Sequence, residues 1–169
     1  AVVVGGGPAG LMAAQKLCDA GFSVDLFEQK GSVGRKFLLA GKGGLNLSHS
    51  EDHAAFVSRY RDRAEIVSRW LKDFSVVDLR AWAAGLGVET IIGSSGRIFP
   101  QDLKAAPLLR GWVRRLRSQG VHFHVGHCLT QWRQTADGAF TLHLDHSAGS
   151  KDVRTDCLIL ALGGGSWPQ

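Results

Sequence analysis

The sequence contains few cysteines, and their positions exclude a disulfide-stabilised scaffold. Cys18, Cys128 and Cys157 are odd in number, far apart in the chain and without a C-x-x-C pair. This pattern favours reduced thiols in a cytoplasmic protein. Cys18 falls on the apolar side of a predicted helix and Cys157 opens an apolar run, so we expect both side chains in the core.

Long apolar runs are absent as well. No segment approaches the ~20 apolar residues of a membrane-spanning helix, and the sequence contains no signal-peptide pattern, although a trimmed N-terminus could have lost one. We therefore expect a cytoplasmic protein without a membrane partner. The chain has no initiator methionine, begins inside a predicted strand and ends in a glycine turn with no element after it, so we expect it to be a piece of a longer protein.

The histidines lack the companions of a metal site. His122 and His124 alternate on one face of a predicted strand and His127 follows, but no Cys, Asp or Glu completes a ligand set at the usual spacing. We predict exposed strand histidines here, and the same for His143 and His146, with no bound metal.

The excess of positive charge is explained by a solvated helix face. The net charge is +5, and several of the basic residues fall on one predicted helix at residues 102–119. Because no aromatic platform accompanies them, we predict a solvated helix face and no nucleic-acid partner. An anionic cofactor accounts for part of the charge equally well.

The first 28 residues carry the strongest pattern. Residues 2–4 are three valines, typical of a strand buried on both faces, and Gly5, Gly7 and Gly10 follow as G-x-G-x-x-G. The first glycine permits a tight turn, the second lets the backbone approach a pyrophosphate, and the third lets helix and strand pack closely. The helix N-terminus that follows attracts phosphate through its unpaired N–H groups and its dipole.

The context of this motif is complete. A helix is predicted from Pro8 to a stop at Gly21, and a second strand at residues 23–27 ends in Glu28. A carboxylate there accepts hydrogen bonds from the 2′ and 3′ hydroxyls of a ribose, whereas an arginine would favour the 2′-phosphate of NADP. The alternative, an ordinary βαβ unit without a ligand, is less consistent with the complete order of strand, glycine turn, helix, second strand and terminal carboxylate.

A glycine-rich connection at residues 29–50 is longer than a simple connection between two elements needs to be, and loops of this length are usually functional or disordered. Arg35 and Lys36 offer positive charge to a phosphate, and Asn46 and Ser48 offer polar groups to a ring edge or to the local backbone. Glycines that allow close backbone approach to a flat ligand are Gly41, Gly43 and Gly44. The alternative is a solvated basic loop.

The middle of the chain predicts a helical and hairpin excursion at residues 51–100. Two apolar stripes at helical spacing cover residues 51–86, with aromatics such as Trp70 expected in the core, and a hairpin follows, ending at Pro100. Asp102 is predicted to cap the next helix, which ends near Gln119.

The last third predicts strands. A strand at 121–125 precedes an alternating hairpin at 129–134 and 139–145 around Asp137-Gly138. The run 157–162 predicts a buried parallel strand, and Gly163, Gly164 and Gly165 turn at its carboxyl end, where ligands bind in open α/β sheets. A second glycine turn favours a flavoprotein over a simple dehydrogenase.

Four segments together resemble the NAD(P)/FAD-dependent oxidoreductases of the BaiN/YhiN type over the whole chain: GGGPAG with Glu28, GRKFLLAGKGGLNLSHS, GSSGRIFP and LALGGGSWP. The resemblance implies an α/β fold with a Rossmann-like FAD-binding domain of the glutathione-reductase type. This fold has a parallel sheet with helices on both faces plus a β-hairpin or meander. It also implies that residues 1–169 are the N-terminal part of that domain, incomplete at the C-terminus, without the remaining cap domain and the later FAD-binding strand.

The same resemblance implies roles for individual residues. The residues that would hold the pyrophosphate are Gly5, Gly7, Pro8, Ala9 and Gly10, with Glu28 on the adenosine ribose. The residues that would line the rest of the FAD toward the flavin are Arg35, Lys36, Gly41, Gly43, Leu45 and Asn46. Leu129 matches a position whose backbone meets the adenine, and Gly163 and Gly164 match the turn that returns the chain to the cofactor.

Many relatives have Arg-Cys-Asn where this chain has Gly44, Leu45 and Asn46, so a thiol near the flavin is missing and no catalytic acid or base is assigned. We expect an FAD-dependent oxidoreductase that takes hydride from NAD(P)H and passes it to a small-molecule acceptor. The alternatives are an NAD-binding dehydrogenase without flavin and a non-catalytic dinucleotide-binding module. Because the later strand is missing, we expect residues 1–169 alone to bind FAD poorly.

Overall fold

The computed structural model describes residues 1–40 and 43–164 of the chain. The strands are β1 (Val2–Val4), β2 (Asp25–Glu28), β3 (Ser48–His49), β4 (Thr90–Ile92), β5 (Arg97–Pro100), β6 (His122–Val125), β7 (Cys128–Gln134), β8 (Phe140–His146), β9 (Gly149–Thr155) and β10 (Leu158–Leu160). The helices are α1 (Pro8–Asp19), α2 (Arg35–Ala40), α3 (His53–Ser58), α4 (Ala64–Asp73), α5 (Val76–Gly85) and α6 (Ala105–Ser118), with a 3-10 turn at Arg61–Arg63.

The chain forms two compact units, with the boundaries inside α2 and α6. The first unit contains residues 1–37 and 113–169, and the second contains residues 38–112. The predicted excursion at 51–100 falls within the second unit. No helix of the two described ranges is long and apolar enough to cross a membrane.

A parallel sheet forms the centre of the first unit. Its strand order is β10-β1-β2-β6, and every neighbouring pair is parallel. The valine run predicts a strand buried on both faces, and β1 is an inner strand of the sheet with all three side chains buried. The predicted parallel sheet at the nucleotide-binding end is therefore confirmed.

An antiparallel meander, β7-β8-β9, covers one face of this sheet. Side chains from the two layers, Val2, Val4 and Phe27 from the sheet and Leu142 and Leu144 from β8, form a common buried core. The hairpin predicted from alternation is confirmed as β7 and β8. The sequence does not predict the third strand, because the segment GSKDVRT of β9 contains only one large apolar side chain.

Helix α1 lies against the other face of the sheet. Side chains alternate along a strand, so Val3 and Leu26 point away from the meander, and both are completely buried. The buried face of α1 carries Leu11 and Ala14, and Gly21, with φ of +86°, follows the helix end as predicted. In the described part of this unit the meander lies on one face of the sheet and α1 on the other, whereas the resemblance implies helices on both faces plus a β-hairpin or meander.

The last described strand is less buried than its sequence predicts. The apolar run 157–162 yields only β10, which lies at the edge of the sheet formed by the described residues, and Leu160 is 40% exposed there. An edge position leaves part of each side chain uncovered, whatever its hydrophobicity. Cys18, Cys128 and Cys157 are free thiols, and all three are half-buried, so the core positions expected for Cys18 and Cys157 are corrected.

The second unit contains three short helices and a small antiparallel sheet of order β3-β5-β4. The predicted helical region at 51–86 is confirmed as α3, α4 and α5, and the hairpin as β4 and β5. The sequence predicts Trp70 in the core, but its side chain is 63% exposed. Only Val67 of α4 is buried, so the apolar stripe of this helix is wider than the face that the unit covers.

The start of α6 also differs from the prediction. Asp102 accepts a hydrogen bond from the Lys104 N–H over 3.0 Å, but Leu103 adopts φ of +61°. Since a left-handed residue cannot belong to a right-handed helix, the helix begins at Ala105.

Candidate dinucleotide-binding site

The first glycine turn joins β1 to α1 and is closely packed. Gly5 has φ of +107°, and a Cβ built on it would lie 2.2 Å from the Ala161 carbonyl oxygen at the end of β10. A Cβ on Gly10 would lie 1.8 Å from the Gly5 carbonyl oxygen. Both positions require glycine because backbone atoms of neighbouring elements occupy the space of a side chain.

Gly7 is different, because the space beside it is open. No atom lies within 4 Å of the position of a Cβ on Gly7, which is the N-cap residue of α1 with an extended backbone. Pro8 follows at the start of the helix, and no side chain caps the first turn. The N-terminus of α1, where Ala9 and Gly10 lie, therefore faces open space with the unpaired N–H groups and positive dipole end that bind phosphate.

Glu28 ends β2 beside this turn, as predicted. Its Oε2 accepts a hydrogen bond from Gly6 N over 2.7 Å, and its Oε1 accepts one from Lys30 N over 2.8 Å. Each carboxylate oxygen has two lone pairs, so both oxygens retain acceptor capacity for ribose hydroxyls. Glu28 thus fixes the glycine turn through the same group that is predicted to bind the ribose.

Gly6 is a closely packed position of the glycine turn that sequence reasoning missed. A Cβ on Gly6 would lie 2.5 Å from Val33 Cγ1 and 3.0 Å from Glu28 Oε2. The Gly6 carbonyl also accepts a hydrogen bond from Gly34 N over 2.8 Å. The available signal was the run of three glycines, in which Gly6 occupies a variable position of the motif.

The second glycine turn lies beside the first. Ala161 N donates to Val4 O over 2.8 Å, which extends the pairing of β10 with β1, and Gly163 follows with φ of +86°. Lys36 Nζ lies 3.7 Å from the position of a Cβ on Gly163, and the space beside Gly164 is open. Gly165 lies outside the described residues.

Arg35 and Lys36 start α2 directly after Gly34, the residue bonded to Gly6. Both side chains are exposed. The structure therefore brings most of the predicted residues of the first unit together at the carboxyl ends of the parallel strands. They are the glycine turn, Glu28, Arg35, Lys36, Gly163 and Gly164.

Three predicted site residues belong to the second unit. Gly43 and Asn46 are exposed, whereas Leu45 is buried and its N–H donates to Leu103 O over 2.9 Å. Gly41, and Lys42 beside it, lie outside the described residues. The cofactor contacts expected for these positions stay predictions.

Leu129 lies in β7, opposite Leu144 of β8. Its side chain packs against the core between meander and sheet, and the strand pairing is irregular between Leu129 and Gln131. The expected contact of its backbone with an adenine ring stays a prediction.

The histidines are more buried than predicted. His122 and His143 are exposed, as expected for polar strand positions, but His124, His127 and His146 are half-buried. His124 Nε2 lies 2.6 Å from Asp25 Oδ1, and the His124 ring stacks on Phe27. Across residues 1–40 and 43–164, no group of three or more His, Cys, Asp and Glu side chains has the arrangement of a metal site.

The residues at the carboxyl ends of the parallel strands fit a dinucleotide. A side chain at Gly7 or Gly164 would enter open space, Glu28 retains lone pairs, and Arg35 and Lys36 add positive charge. An anionic pyrophosphate requires close backbone approach and a positive field, and an adenosine ribose requires an acceptor pair. All three requirements are met within the first unit.

Known proteins with similar sequence and structure include a reductase and a dehydrogenase. A 3-dehydro-bile acid Δ(4,6)-reductase of Clostridium scindens is 29% identical over 164 residues, which cover 96% of this chain and 38% of the relative. The structure of a 3-ketosteroid-Δ4-(5α)-dehydrogenase from Rhodococcus jostii RHA1, in complex with 4-androstene-3,17-dione, superposes with a TM-score of 0.73 at 15% identity. That match covers 94% of this chain and 44% of the dehydrogenase.

Thermovibrio ammonificans THI4 has a similar fold too, with a TM-score of 0.60, 18% identity, and coverage of 96% of this chain and 56% of THI4. The chain thus spans well under two thirds of the length of these proteins. The family model of the HI0933-like protein Rossmann domain matches residues 1–169. The chain belongs to the HI0933-like Rossmann domain family.

Proposed function

We propose that the protein containing this chain is an FAD-dependent oxidoreductase, with the dinucleotide bound at the carboxyl ends of β1, β2 and β10. The observation that carries the proposal is the meeting of two glycine turns: a Cβ on Gly5 would contact the Ala161 carbonyl at the end of β10, two residues before Gly163. A simple NAD site needs only the first turn. Two turns on adjacent strands support a larger dinucleotide that both contact.

The residues of this chain bind and orient the cofactor, which supplies the redox chemistry when bound. The α1 N-terminus and the backbone of Gly7 to Gly10 hold the pyrophosphate, and Glu28 accepts hydrogen bonds from the adenosine ribose. Lys36, whose Nζ lies near Gly163, places a positive charge where the second turn approaches the cofactor.

We propose NAD(P)H as the electron donor and a small organic molecule as the acceptor. Two of the similar proteins, the bile acid Δ(4,6)-reductase and the 3-ketosteroid dehydrogenase, are both named for reactions of oxosteroids. An α,β-unsaturated ketone on a flat polycyclic skeleton is therefore the first acceptor class to test.

The test is anaerobic reduction of the full-length protein, loaded with FAD, by NADH and by NADPH in separate titrations. The proposal predicts loss of the ~450 nm flavin absorbance with one donor, and its return on addition of a 3-oxo-Δ4 steroid. Omission of the steroid is the matched control. Absorbance that neither donor bleaches would contradict the donor assignment, and absorbance that the steroid does not restore would contradict the acceptor class.

A further inference from the structure

Four aromatic rings stack between the sheet and the meander of the first unit, next to the end of the strand that carries Glu28. We call Phe27, His124, His127 and His146 the four-ring cluster. Phe27 and His124 stack with centroids 4.4 Å apart, and His127 and His146 stack at 4.4 Å. The His127 ring meets Phe27 edge-on at 5.6 Å, so the two stacks are continuous.

Backbone groups hold both rings of the second stack in place. Ala148 N donates to His146 Nδ1 over 3.1 Å, so this nitrogen carries no proton. His127 Nδ1 pairs with the Val125 carbonyl over 3.0 Å, so this nitrogen carries the proton of the neutral ring. Protonation of His127 would place a positive charge on a ring whose centre lies 4.4 Å from that of His146.

The charges around His127 oppose its protonation. Among the described residues, the ion pairs of the cluster histidines and of His122 are all with Asp25, which lies 2.6 Å from His124 and 3.8 Å from His122. On the other side, Lys151 Nζ lies 5.0 Å from the centre of the Phe27 ring. The titratable groups beside His127 are Lys151 from β9, His146 from β8 and His124 from β6, and Asp25 of β2 is paired with His124.

Burial lowers the pKa of His127, and the positive charge of Lys151 lowers it further, although the bond of His127 with the Val125 carbonyl acts in the opposite direction. An unfolded or opened chain therefore takes up the proton more readily than the closed cluster. The closed cluster loses stability relative to the open form as the pH falls below the usual histidine value of ~6.5.

The cluster is bonded directly to the proposed ribose site. His127 N donates to the Glu28 carbonyl over 3.0 Å, and Gly126 N donates to the Lys30 carbonyl over 3.1 Å. Gly126 has φ of +73°, and a Cβ there would lie 3.3 Å from His146. The 126–127 turn thus holds the backbone of Glu28 from one side, while the Glu28 carboxylate binds Gly6 and Lys30 on the other.

We propose that the four-ring cluster is a proton-sensitive latch, and that protonation of His127 releases the 126–127 turn, displaces Glu28 and weakens binding of the dinucleotide. The inference rests on the proposed function, since it needs a cofactor at Glu28. It adds a regulation of that site: retention of FAD depends on pH in the range in which histidine titrates.

The experiment measures the dissociation constant of FAD for the full-length protein between about pH 8 and about pH 5.5, a range that brackets the usual histidine pKa. Free FAD is quantified by fluorescence after ultrafiltration, and circular dichroism at each pH confirms that the protein is folded. For the wild type we expect the dissociation constant to rise on acidification, by up to about tenfold per pH unit for each linked proton.

Two variants separate the latch from a general acid effect. His127→Phe/His146→Phe retains stacked rings that cannot be protonated, so the dissociation constant should stay nearly flat. His143→Phe is the matched control, because His143 lies exposed on the outer face of the same meander, and it should keep the wild-type pH dependence.

Lys151→Gln provides a third test that preserves both histidines. Loss of this positive charge makes protonation of His127 easier, so the fall in affinity for FAD should begin at higher pH than in the wild type. An unshifted onset in Lys151→Gln, or an unchanged pH dependence in the double Phe variant, would overturn the latch. Failure of the wild type to bind FAD even at about pH 8 would instead overturn the proposed function.

Discussion

At the scale of single residues, the glycines of the first turn divide into those that the packing of the fold requires and one, Gly7, that the packing leaves unconstrained. At Gly5 and Gly10 a Cβ would lie within 2.2 Å of a backbone oxygen, whereas the space beside Gly7 is open. The difference gives opposite predictions for two alanine variants of one motif.

Gly10→Ala should destabilise the protein. The new methyl group would overlap the Gly5 carbonyl, so α1 must move away from the turn. We expect the free energy of unfolding to fall by about 1–3 kcal/mol, measured by urea denaturation with tryptophan fluorescence. An unfolding free energy equal to that of the wild type would show that the turn is not closely packed.

Gly7→Ala should leave the fold intact and impair the ligand site. Its extended backbone at φ of −79° suits any residue, and no atom lies within 4 Å of the added methyl group. We expect an unfolding free energy within about 1 kcal/mol of the wild type, together with at least about tenfold weaker FAD binding, because the methyl group separates the backbone from the pyrophosphate. Undiminished FAD affinity would contradict the assignment of this turn.

Most of these residues could be predicted from the sequence because the turn chemistry is local. Gly5, Gly7, Gly10 and Glu28 follow from strand, turn and helix signals within one segment. Gly6 could not, since its requirement comes from Val33 and Glu28, which the fold brings to it from more than 20 residues away in the chain.

At the scale of elements, α5 in the second unit begins with a complete capping box. Asp78 N donates to Ser75 Oγ over 3.2 Å, and Ser75 N donates to the Asp78 carboxylate over 2.8 Å. Ser75→Ala should lower the free energy of unfolding by about 1 kcal/mol. Ser58→Ala is the control, because its hydroxyl donates only to a carbonyl of the same helix, Ala55 O. Equal losses in urea denaturation of the two variants would contradict the role of the box.

A histidine–aspartate pair on the outer face of the meander should make the stability of the protein depend on pH. His143 Nδ1 lies 2.6 Å from Asp152 Oδ1 on β9, and this hydrogen bond raises the pKa of His143. A raised folded-state value means that the pair stabilises the fold fully below about pH 6.5. The contribution is lost as the pH rises through the folded-state value.

The variant His143→Gln should therefore melt at a lower temperature than the wild type near about pH 6, and the difference should shrink toward about pH 8.5. Differential scanning calorimetry over this range measures it, and Asp152→Asn should show the same trend. A difference in melting temperature that grows with pH would contradict the pairing.

Elements with clear periodicity could be predicted, and the others could not. The β7–β8 hairpin alternates and has Asp137-Gly138 at its turn, so the sequence predicts it, whereas β9 is mostly polar and owes its place to pairing with β8. Trp70 shows the opposite error: helical spacing predicts an apolar stripe, but which part of it is covered depends on the rest of the unit.

At the scale of the whole molecule, two compact units share one chain. The first unit holds the two glycine turns with Glu28, Lys36 and the four-ring cluster, and the second holds Gly43, Leu45 and Asn46. The parallel sheet and the meeting of the two glycine turns at the carboxyl ends of its strands could be predicted, because motif and topology coincide there. Substrate recognition could not, since the chain covers 38% of the bile acid reductase and less than half of the ketosteroid dehydrogenase.

The most direct test of the central claim is the absorbance spectrum of the purified full-length protein, alone and after reconstitution with FAD, with Gly7→Ala measured in parallel. We predict flavin bands near ~450 nm for the wild type and much weaker bands for the variant after identical gel filtration. A folded wild-type protein that stays colourless after incubation with FAD would contradict the claim that the two glycine turns hold a flavin dinucleotide.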